Sequence, residues 1–300
     1  MAGVSLRGRR LATELRRLRA QAGLTIEQSA AGAEISKSQL SRIENAESNP
    51  QIPVLKALLA VYQVGRVEVE SLLQLARDAR RREWWQLYSN IANQQLVNYV
   101  AFESAASRIR NFEVSVLPGL FQTREYAEAL LRGLGELPGV QASRSGVSQA
   151  AHIDKLVELR MARQARLDEL DYWAILDETA LRRQVCPPRG MAEQLRHIVE
   201  LSERPNITVQ VLPVEVPVHV GLDGSFTIFS FDDAKDPDVI YTESSLGQFF
   251  LDEEGATRRQ GSIFDHLRAT AMDITSSRER LISIAQDMEN KSEPENYPRR

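Results

Sequence analysis

Two helix-start signals stand close together near the amino terminus, and they constrain the fold more than any other feature of the chain. Thr25 and Ser36 both suit the N-cap position, and each precedes a short helical pattern. The first segment, TIEQSAAGAE, has the small Ala30 where two helices would touch, and the second, SKSQLSRIENAE, turns Leu40 and Ile43 to one face. The spacing predicts two short helices that meet at a tight turn.

Further helical patterns surround this pair. Leucines at helical intervals predict a first helix near residues 8–22, and the turn-forming SNPQIP separates the pair from the next helical pattern. Two more helices are predicted from the apolar residues Val54, Leu55, Leu58, Leu59, Tyr62, Val69, Leu72, Leu73 and Ala76. The sequence therefore predicts an all-α domain of five helices over residues 1–80.

The second helix of the pair would carry polar side chains on its outer face. These are Lys37, Ser38, Gln39, Ser41, Arg42 and Asn45. The run SKSQLSRIENAESNP resembles the recognition helix of the lambda-repressor (XRE) type of helix-turn-helix protein, and the similarity covers about residues 8–76. The resemblance implies binding of operator DNA, because in such units the second helix lies in the major groove and the first crosses the backbone.

The resemblance also implies roles for single residues. Lys37, Ser38 and Arg42 stand at base-reading positions, where Arg42 would offer two donors to a guanine. Three further residues, Thr25, Ser36 and Asn45, stand at positions that commonly contact phosphates in the family. The predicted DNA-contacting set is Thr25, Gln28, Ser36, Lys37, Ser38, Gln39, Ser41, Arg42 and Asn45, with Thr25, Ser36 and Asn45 on phosphates.

Two internal features of the family have counterparts here. Arg19 and Glu44 stand where the family joins its first and third helices by an ion pair. The turn position that often holds glycine is Glu34, whose backbone is then expected near the left-handed region at some energetic cost. The alternative interpretation of this domain is a helical hairpin used for protein contacts.

Charge separates the two ends of the chain. Residues 1–82 hold 14 Lys and Arg against 8 Asp and Glu, a net of +6, and residues 83–300 hold 23 against 33, a net of −10. A basic module supplies the salt-sensitive attraction that phosphates need, whereas an acidic one is repelled by DNA. The charge distribution therefore favours the amino-terminal part as the nucleic-acid partner.

The rest of the chain is predicted to be an α+β domain over residues 81–290 with an antiparallel sheet. The predicted helix from Asp78 continues through ARRREWWQLY, a helical pattern runs from Leu96 to Ile109, and others lie at residues 122–132, 255–270 and 276–288. Period-two segments predict strands at YWAIL, ITVQVL, SFTIFSF, DVIYT and LGQFFL. Turn residues at 223–224 and 236–237 separate consecutive strands, residues 138–150 resemble a flexible loop, and residues 291–300 are predicted to be a disordered tail.

This second domain also carries a resemblance. The run NYVAFESAASRIRNFEVSVLPGLFQTREYAEALLRG, with LDYWAILDETALRRQV, ERPNITVQVLPV and DPDVIYTES, resembles the uncharacterised domain that follows an XRE motif in a large actinobacterial family of antitoxin-like regulators. The resemblance implies a partner, a very small protein encoded beside the regulator. A small-molecule effector that biases DNA binding remains the alternative.

The sequence offers no catalytic constellation and no cofactor motif, so we expect no enzyme and no cofactor. It contains no HExxH motif, Gly-rich phosphate loop or Cys-His pair. The lone Cys186 is expected to be incidental. His219 is expected to face solvent, because the alternating valines of VEVPVHV would point inward.

Location and assembly are predicted from simpler signals. No stretch of eighteen apolar residues occurs, and MAGVSLRGRR lacks the apolar run of a secretory signal, so we expect a cytoplasmic protein without membrane contact. The predicted recognition helix holds only Lys37 and Arg42 as basic residues. Affinity and specificity would then depend on a homodimer that binds two half-sites.

Overall fold

A computed structural model of the protein describes residues 6–78, 84–88, 91–136, 149–233, 236–244 and 247–292. Packing divides the chain into two compact units, Met1–Ala105 and Ala106–Arg300. Several predicted features lie outside the described residues. These are the domain boundary at 80/81, the predicted helix over residues 79–83, and most of the predicted loop (138–150) and tail (291–300). The boundary therefore remains a prediction. Among the described helices, none is long and apolar enough to cross a membrane.

The first unit is helical. Its helices are α1 (Leu6–Gln21), α2 (Ile26–Gly32), α3 (Lys37–Glu44), α4 (Ile52–Val61), α5 (Arg66–Asp78) and α6 (Gln94–Ala105), with a 3-10 helix at Trp84–Tyr88. The five predicted helices are confirmed as α1–α5. Their apolar stripes meet in one core, whose fully buried members include Leu11, Leu15, Leu40, Leu55 and Leu58.

A smaller apolar cluster lies at the end of this unit. Trp85 packs with Val97, Val100 and Ala101 of α6. On the same helix, the Phe102 ring lies 4.7 Å from the guanidinium carbon of Arg9 in α1. The helix predicted to continue from Asp78 through ARRREWWQLY is corrected over its described part, because residues Trp84–Tyr88 form a 3-10 helix.

The described part of the second unit combines six strands with six α-helices. The strands are β1 (Arg108–Glu113), β2 (Asp171–Asp177), β3 (Ile207–Leu212), β4 (Phe226–Ser230), β5 (Val239–Ser244) and β6 (Gly247–Leu251). The helices are α7 (Arg124–Gly135), α8 (Gln149–Arg163), α9 (Glu178–Arg182), α10 (Pro188–Leu201), α11 (Glu254–Thr270) and α12 (Ile274–Ser292). Short 3-10 helices lie at Gly119–Phe121, Gln164–Asp168 and Val220–Asp223. The predicted α+β class is confirmed.

The sheet is mixed, which corrects the prediction of an antiparallel sheet. Its strand order is β3-β2-β1-β4-β5-β6. The pairs β1 with β2 and β2 with β3 are parallel, whereas β4, β5 and β6 form the predicted antiparallel meander beside β1. Parallel neighbours need long crossovers, and helices α7 to α10 provide them between β1, β2 and β3.

Strand β1 was not predicted, and the helix predicted through Ile109 ends earlier, at Ala105. Ile109 and Phe112 are spaced three residues apart, which also suits a helix. In the structure both are fully buried, and β1 pairs on both sides, with β2 and β4. Tertiary pairing on two edges outweighs the local helical pattern.

The segment that follows β3 is not a strand, and the prediction for His219 is wrong. Pro213 and Pro217 lack the amide hydrogen that a sheet ladder needs, so the chain turns instead. Val218 is 79% exposed. The His219 side chain is only 5% exposed, lies with Nε2 3.5 Å from Asp177 Oδ2, and accepts a hydrogen bond on Nδ1 from the Gly221 amide.

The segment VLPGLFQT belongs to the core of the second unit. Leu117, Leu120 and Phe121 are at most 1% exposed, so they line no open groove. The Gln194 side chain donates to the Phe121 carbonyl and accepts from the Thr123 amide, both at 2.7 Å. These bonds fix the loop where α7 begins at its N-cap, Thr123.

Candidate nucleic-acid interface

Side-chain caps define the starts of α2 and α3. Thr25 Oγ1 accepts from the Gln28 amide at 3.2 Å, and Gln28 Oε1 accepts from the Thr25 amide at 2.9 Å, which completes a capping box. Ser36 Oγ accepts from the Gln39 amide at 3.1 Å. Each cap satisfies a backbone donor that the first helical turn leaves free. Three residues of the predicted DNA-contacting set thus also fix the helix starts.

The turn between these helices has the predicted strained backbone. Glu34 has φ +55°, in the left-handed region, and its amide donates to the Ala31 carbonyl. Ala46 and Gln63 repeat this conformation after α3 and α4, with φ +53° and +54°. Non-glycine residues adopt it at a cost, so tertiary packing must stabilise these turns.

An ion pair holds α3 against α1. Arg19 Nε donates to Glu44 Oε1 at 2.7 Å and Nη2 donates to Oε2 at 3.0 Å, so the implied pairing of the two residues is confirmed. Arg19 Nη1 also donates to the Leu24 carbonyl. The hydrogen bond to Glu44 raises the pKa of Arg19 above its ordinary value. The pair fixes how α3 sits on the body of the domain.

The two faces of α3 differ as predicted. Leu40, Ile43 and Glu44 are buried. Eight of the nine predicted site residues are exposed: Thr25, Gln28, Ser36, Lys37, Ser38, Gln39, Arg42 and Asn45. Ser41 is half-buried, and its Oγ accepts from Asn45 Nδ2 at 3.4 Å. The structure therefore brings the nine residues together on α2, α3 and their caps.

Carboxylates stand beside both basic side chains of α3, a feature that was not predicted from the sequence. The Lys37 ammonium pairs with Glu27 of α2, and Arg42 Nε lies 3.7 Å from Glu47 Oε2. The hydrogen bond from Lys37 lowers the pKa of Glu27. Because Glu27 and Lys37 lie on different helices, no helical spacing in the sequence could have revealed this pair.

The described residues contain no group of three or more His, Cys, Asp or Glu placed to hold a metal ion. Cys186 is buried, and burial with the nearby charge of Glu125 raises the pKa of its thiol to about 11. A thiol with that pKa stays protonated near neutral pH and is a poor nucleophile.

Two family models match the chain. A helix-turn-helix domain matches residues 10–72, which span most of α1 to α5, and this match supports a DNA-binding regulator. A domain of unknown function (DUF5753) matches residues 96–283, well over half of the chain. No curated protein and no solved structure matches it. The chain therefore belongs to the family of the domain of unknown function DUF5753, here preceded by a helix-turn-helix domain.

Proposed function

We propose that the protein is a sequence-specific transcription regulator of the XRE type that reads operator DNA with α3. The observation that carries the proposal is the exposed polar face of α3, held on α1 by Arg19 and Glu44. In helix-turn-helix units such a face enters the major groove. A hairpin used only for protein contacts would not need this row of donors and acceptors.

Within this surface, we assign base reading to Lys37, Ser38 and Arg42. Arg42 has the length and the paired donors to address O6 and N7 of a guanine. Gln39 and Ser41 complete the face that the groove would enclose. Thr25, Ser36 and Asn45 are assigned to phosphates, which fix register without reading sequence, and Gln28 completes the DNA-contacting set.

Two copies of the chain are needed for a tight and specific complex. One α3 offers two basic side chains, and each already has a carboxylate beside it. A homodimer on an inverted repeat doubles the contacts and places the half-sites about one helical turn apart. Selection of binding sites from a random DNA pool by the full chain tests this, because an enriched single half-site would oppose the dimer.

For residues 81–290 we propose a partner-binding role without catalysis. The occupant is a small protein encoded beside this chain, so the regulator would be antitoxin-like. The support is the net charge of −10 over residues 83–300, which disfavours DNA and suits a basic partner surface. If the partner changes operator affinity by some factor, operator must change partner affinity by the same factor.

Coexpression with the neighbouring small open reading frame, followed by native mass spectrometry, tests the partner. A stoichiometric complex is expected, and calorimetry with the purified small protein should give a measurable heat. A titration without heat would exclude the small protein as the partner. The alternative, a small-molecule effector that binds this domain, would then be favoured.

A further inference from the structure

The two outer edges of the sheet differ in whether another segment of the chain covers them. At the β3 edge, the Val211 amide donates to Ser277 Oγ and the Met272 amide donates to the Val211 carbonyl, both at 2.9 Å. Gln210 Nε2 donates to the Met272 carbonyl at 2.9 Å. The segment that joins α11 to α12, together with Ser277 in the first turn of α12, thus occupies this edge and prevents another strand from pairing there.

The opposite edge is β6, and no described strand lies beyond it. Phe249 and Leu251 are 45% and 46% exposed, and the Phe250 ring packs at 5.1 Å on Tyr241 of β5. Residues 247–251, GQFFL, contain no charge and no proline. Charged side chains and prolines usually protect a sheet edge from pairing. Because β6 has neither, it is suited to pairing with another strand.

We propose that β6 pairs antiparallel with β6 of a second copy of this chain, so that one sheet runs through both subunits. The choice of a second copy rests in part on the proposed function, because reading two half-sites requires a two-fold pair of recognition helices.

The two-fold symmetry restricts the register, and full pairing of the five-residue strand selects the axis at its centre. An axis perpendicular to the sheet keeps like faces together, so each residue must pair with one on its own face. With the axis at Phe249, Gly247 pairs with Leu251 of the other copy, Gln248 pairs with Phe250, and Phe249 pairs with itself. All five residues are then paired, and the two exposed Phe249 rings bury each other.

The charges that follow β6 favour the antiparallel arrangement. Asp252 and Glu253 come directly after the strand. In the antiparallel register the two Asp252 residues lie about 20 Å apart along the strands, beyond the paired region. A parallel pair would place them side by side, where like charges are destabilising.

Cysteine cross-linking of the full chain without DNA tests the register. Phe249→Cys places two cysteines opposite each other, with the Cα atoms about 5 Å apart, within disulfide range. We expect mild oxidation to give a covalent dimer on a non-reducing gel. Leu251→Cys is the matched control, since its two copies lie about 14 Å apart along the strands. The native Cys186 is buried and contributes little background.

A second variant tests the surface without cross-linking. Phe249→Lys places a charge on the edge and should weaken the dimer at least tenfold in sedimentation velocity. Leu222→Lys, at a residue that is also exposed but lies off the strands, should leave the dimer intact. The proposal would be overturned if Phe249→Lys left the dimer as stable as in the native chain. It would also be overturned if the disulfide formed no faster at position 249 than at position 251. A wild-type chain that stays monomeric at tens of micromolar would do the same, whereas DNA binding is scored separately on α3 variants.

Discussion

The side chains of Arg19 and Glu44 meet at two points, Nε to Oε1 at 2.7 Å and Nη2 to Oε2 at 3.0 Å. The Glu44 side chain is only 3% exposed. Two parallel hydrogen bonds between guanidinium and carboxylate fix both distance and angle. The orientation of α3 on α1 therefore depends on this pair.

Arg19→Ala should destabilise the helix-turn-helix domain by about 3 kcal/mol, because it leaves the Glu44 carboxylate buried without its partner. Hydrogen exchange of the full chain measures the effect locally. Peptides from α1 and α3 should exchange about a hundredfold faster, and peptides from α10 should not change.

The control for this variant is Arg17→Ala on the same helix. Arg17 pairs with Glu14 and Glu68, but its side chain is 42% exposed, so its loss should cost less than about 1 kcal/mol. Equal effects of the two substitutions would mean that the Arg19 pair has no special structural role.

Local signals in the sequence predicted much of this fold, and long-range pairing produced the rest. The N-caps Thr25 and Ser36 were predicted because a cap and its helix lie within a few residues. The parallel order of β1, β2 and β3 depends on crossovers of many residues, and no short pattern encodes it. The buried His219 side chain likewise lies beside Asp177 of β2, a residue that is near in space but far from it in the sequence.

The candidate site shows the same division. The exposed face of α3 follows from the helical spacing of Leu40 and Ile43, so its outer residues were predictable. The carboxylates beside Lys37 and Arg42 were not, because Glu27 lies on another helix and Glu47 follows the left-handed turn at Ala46. The effect of these two carboxylates on DNA affinity must therefore be measured with variants.

Glu27→Gln should raise DNA affinity by about three- to tenfold. The carboxylate pairs with Lys37 and, at the surface proposed to meet DNA, it also repels phosphates. Its pKa is lowered by Lys37, so it is ionised throughout the neutral range. Fluorescence anisotropy with a labelled duplex at fixed salt measures the change.

Glu70→Gln removes the same charge from α5, where Glu70 lies 3.7 Å from Arg66. It should alter affinity by less than about twofold, since only general electrostatics change. A loss of affinity on Glu27→Gln would contradict the competition between Glu27 and phosphate for Lys37.

The stability of the second unit should fall as pH rises from about 4.5 to 7. Burial raises the pKa of Glu113, at the end of β1, from 4.5 to about 7, so the folded chain holds a proton there that the unfolded chain has lost. Stability is then greatest below the unfolded pKa, and about 2 to 3 kcal/mol is lost by pH 8. Urea unfolding at pH 5 and pH 8, followed by the fluorescence of Trp173 in a chain whose Trp84 and Trp85 are replaced by Phe, measures this difference.

Glu113→Gln should remove most of that pH dependence, because the amide resembles the neutral carboxyl group. Asn111 Nδ2, which lies 3.1 Å from Glu113 Oε1 in the native chain, can still donate to the amide oxygen. Glu254→Gln, at an exposed position of α11, should keep the native pH profile. A flat profile in the native chain would show that Glu113 titrates normally.

The decisive measurement is how strongly α3 discriminates between DNA sequences. Dissociation constants of the native chain, Arg42→Ala and Arg66→Ala are compared on the site selected from random DNA and on a scrambled duplex, at one salt concentration. Arg42→Ala should lose about 1 to 3 kcal/mol on the selected site and much less on the scrambled one, with relaxed preference at one base pair. Arg66→Ala, which removes the same charge from α5, should preserve the ratio of the two constants. If Arg42→Ala also preserves that ratio, Arg42 does not read the sequence and its proposed base-reading role on α3 is wrong.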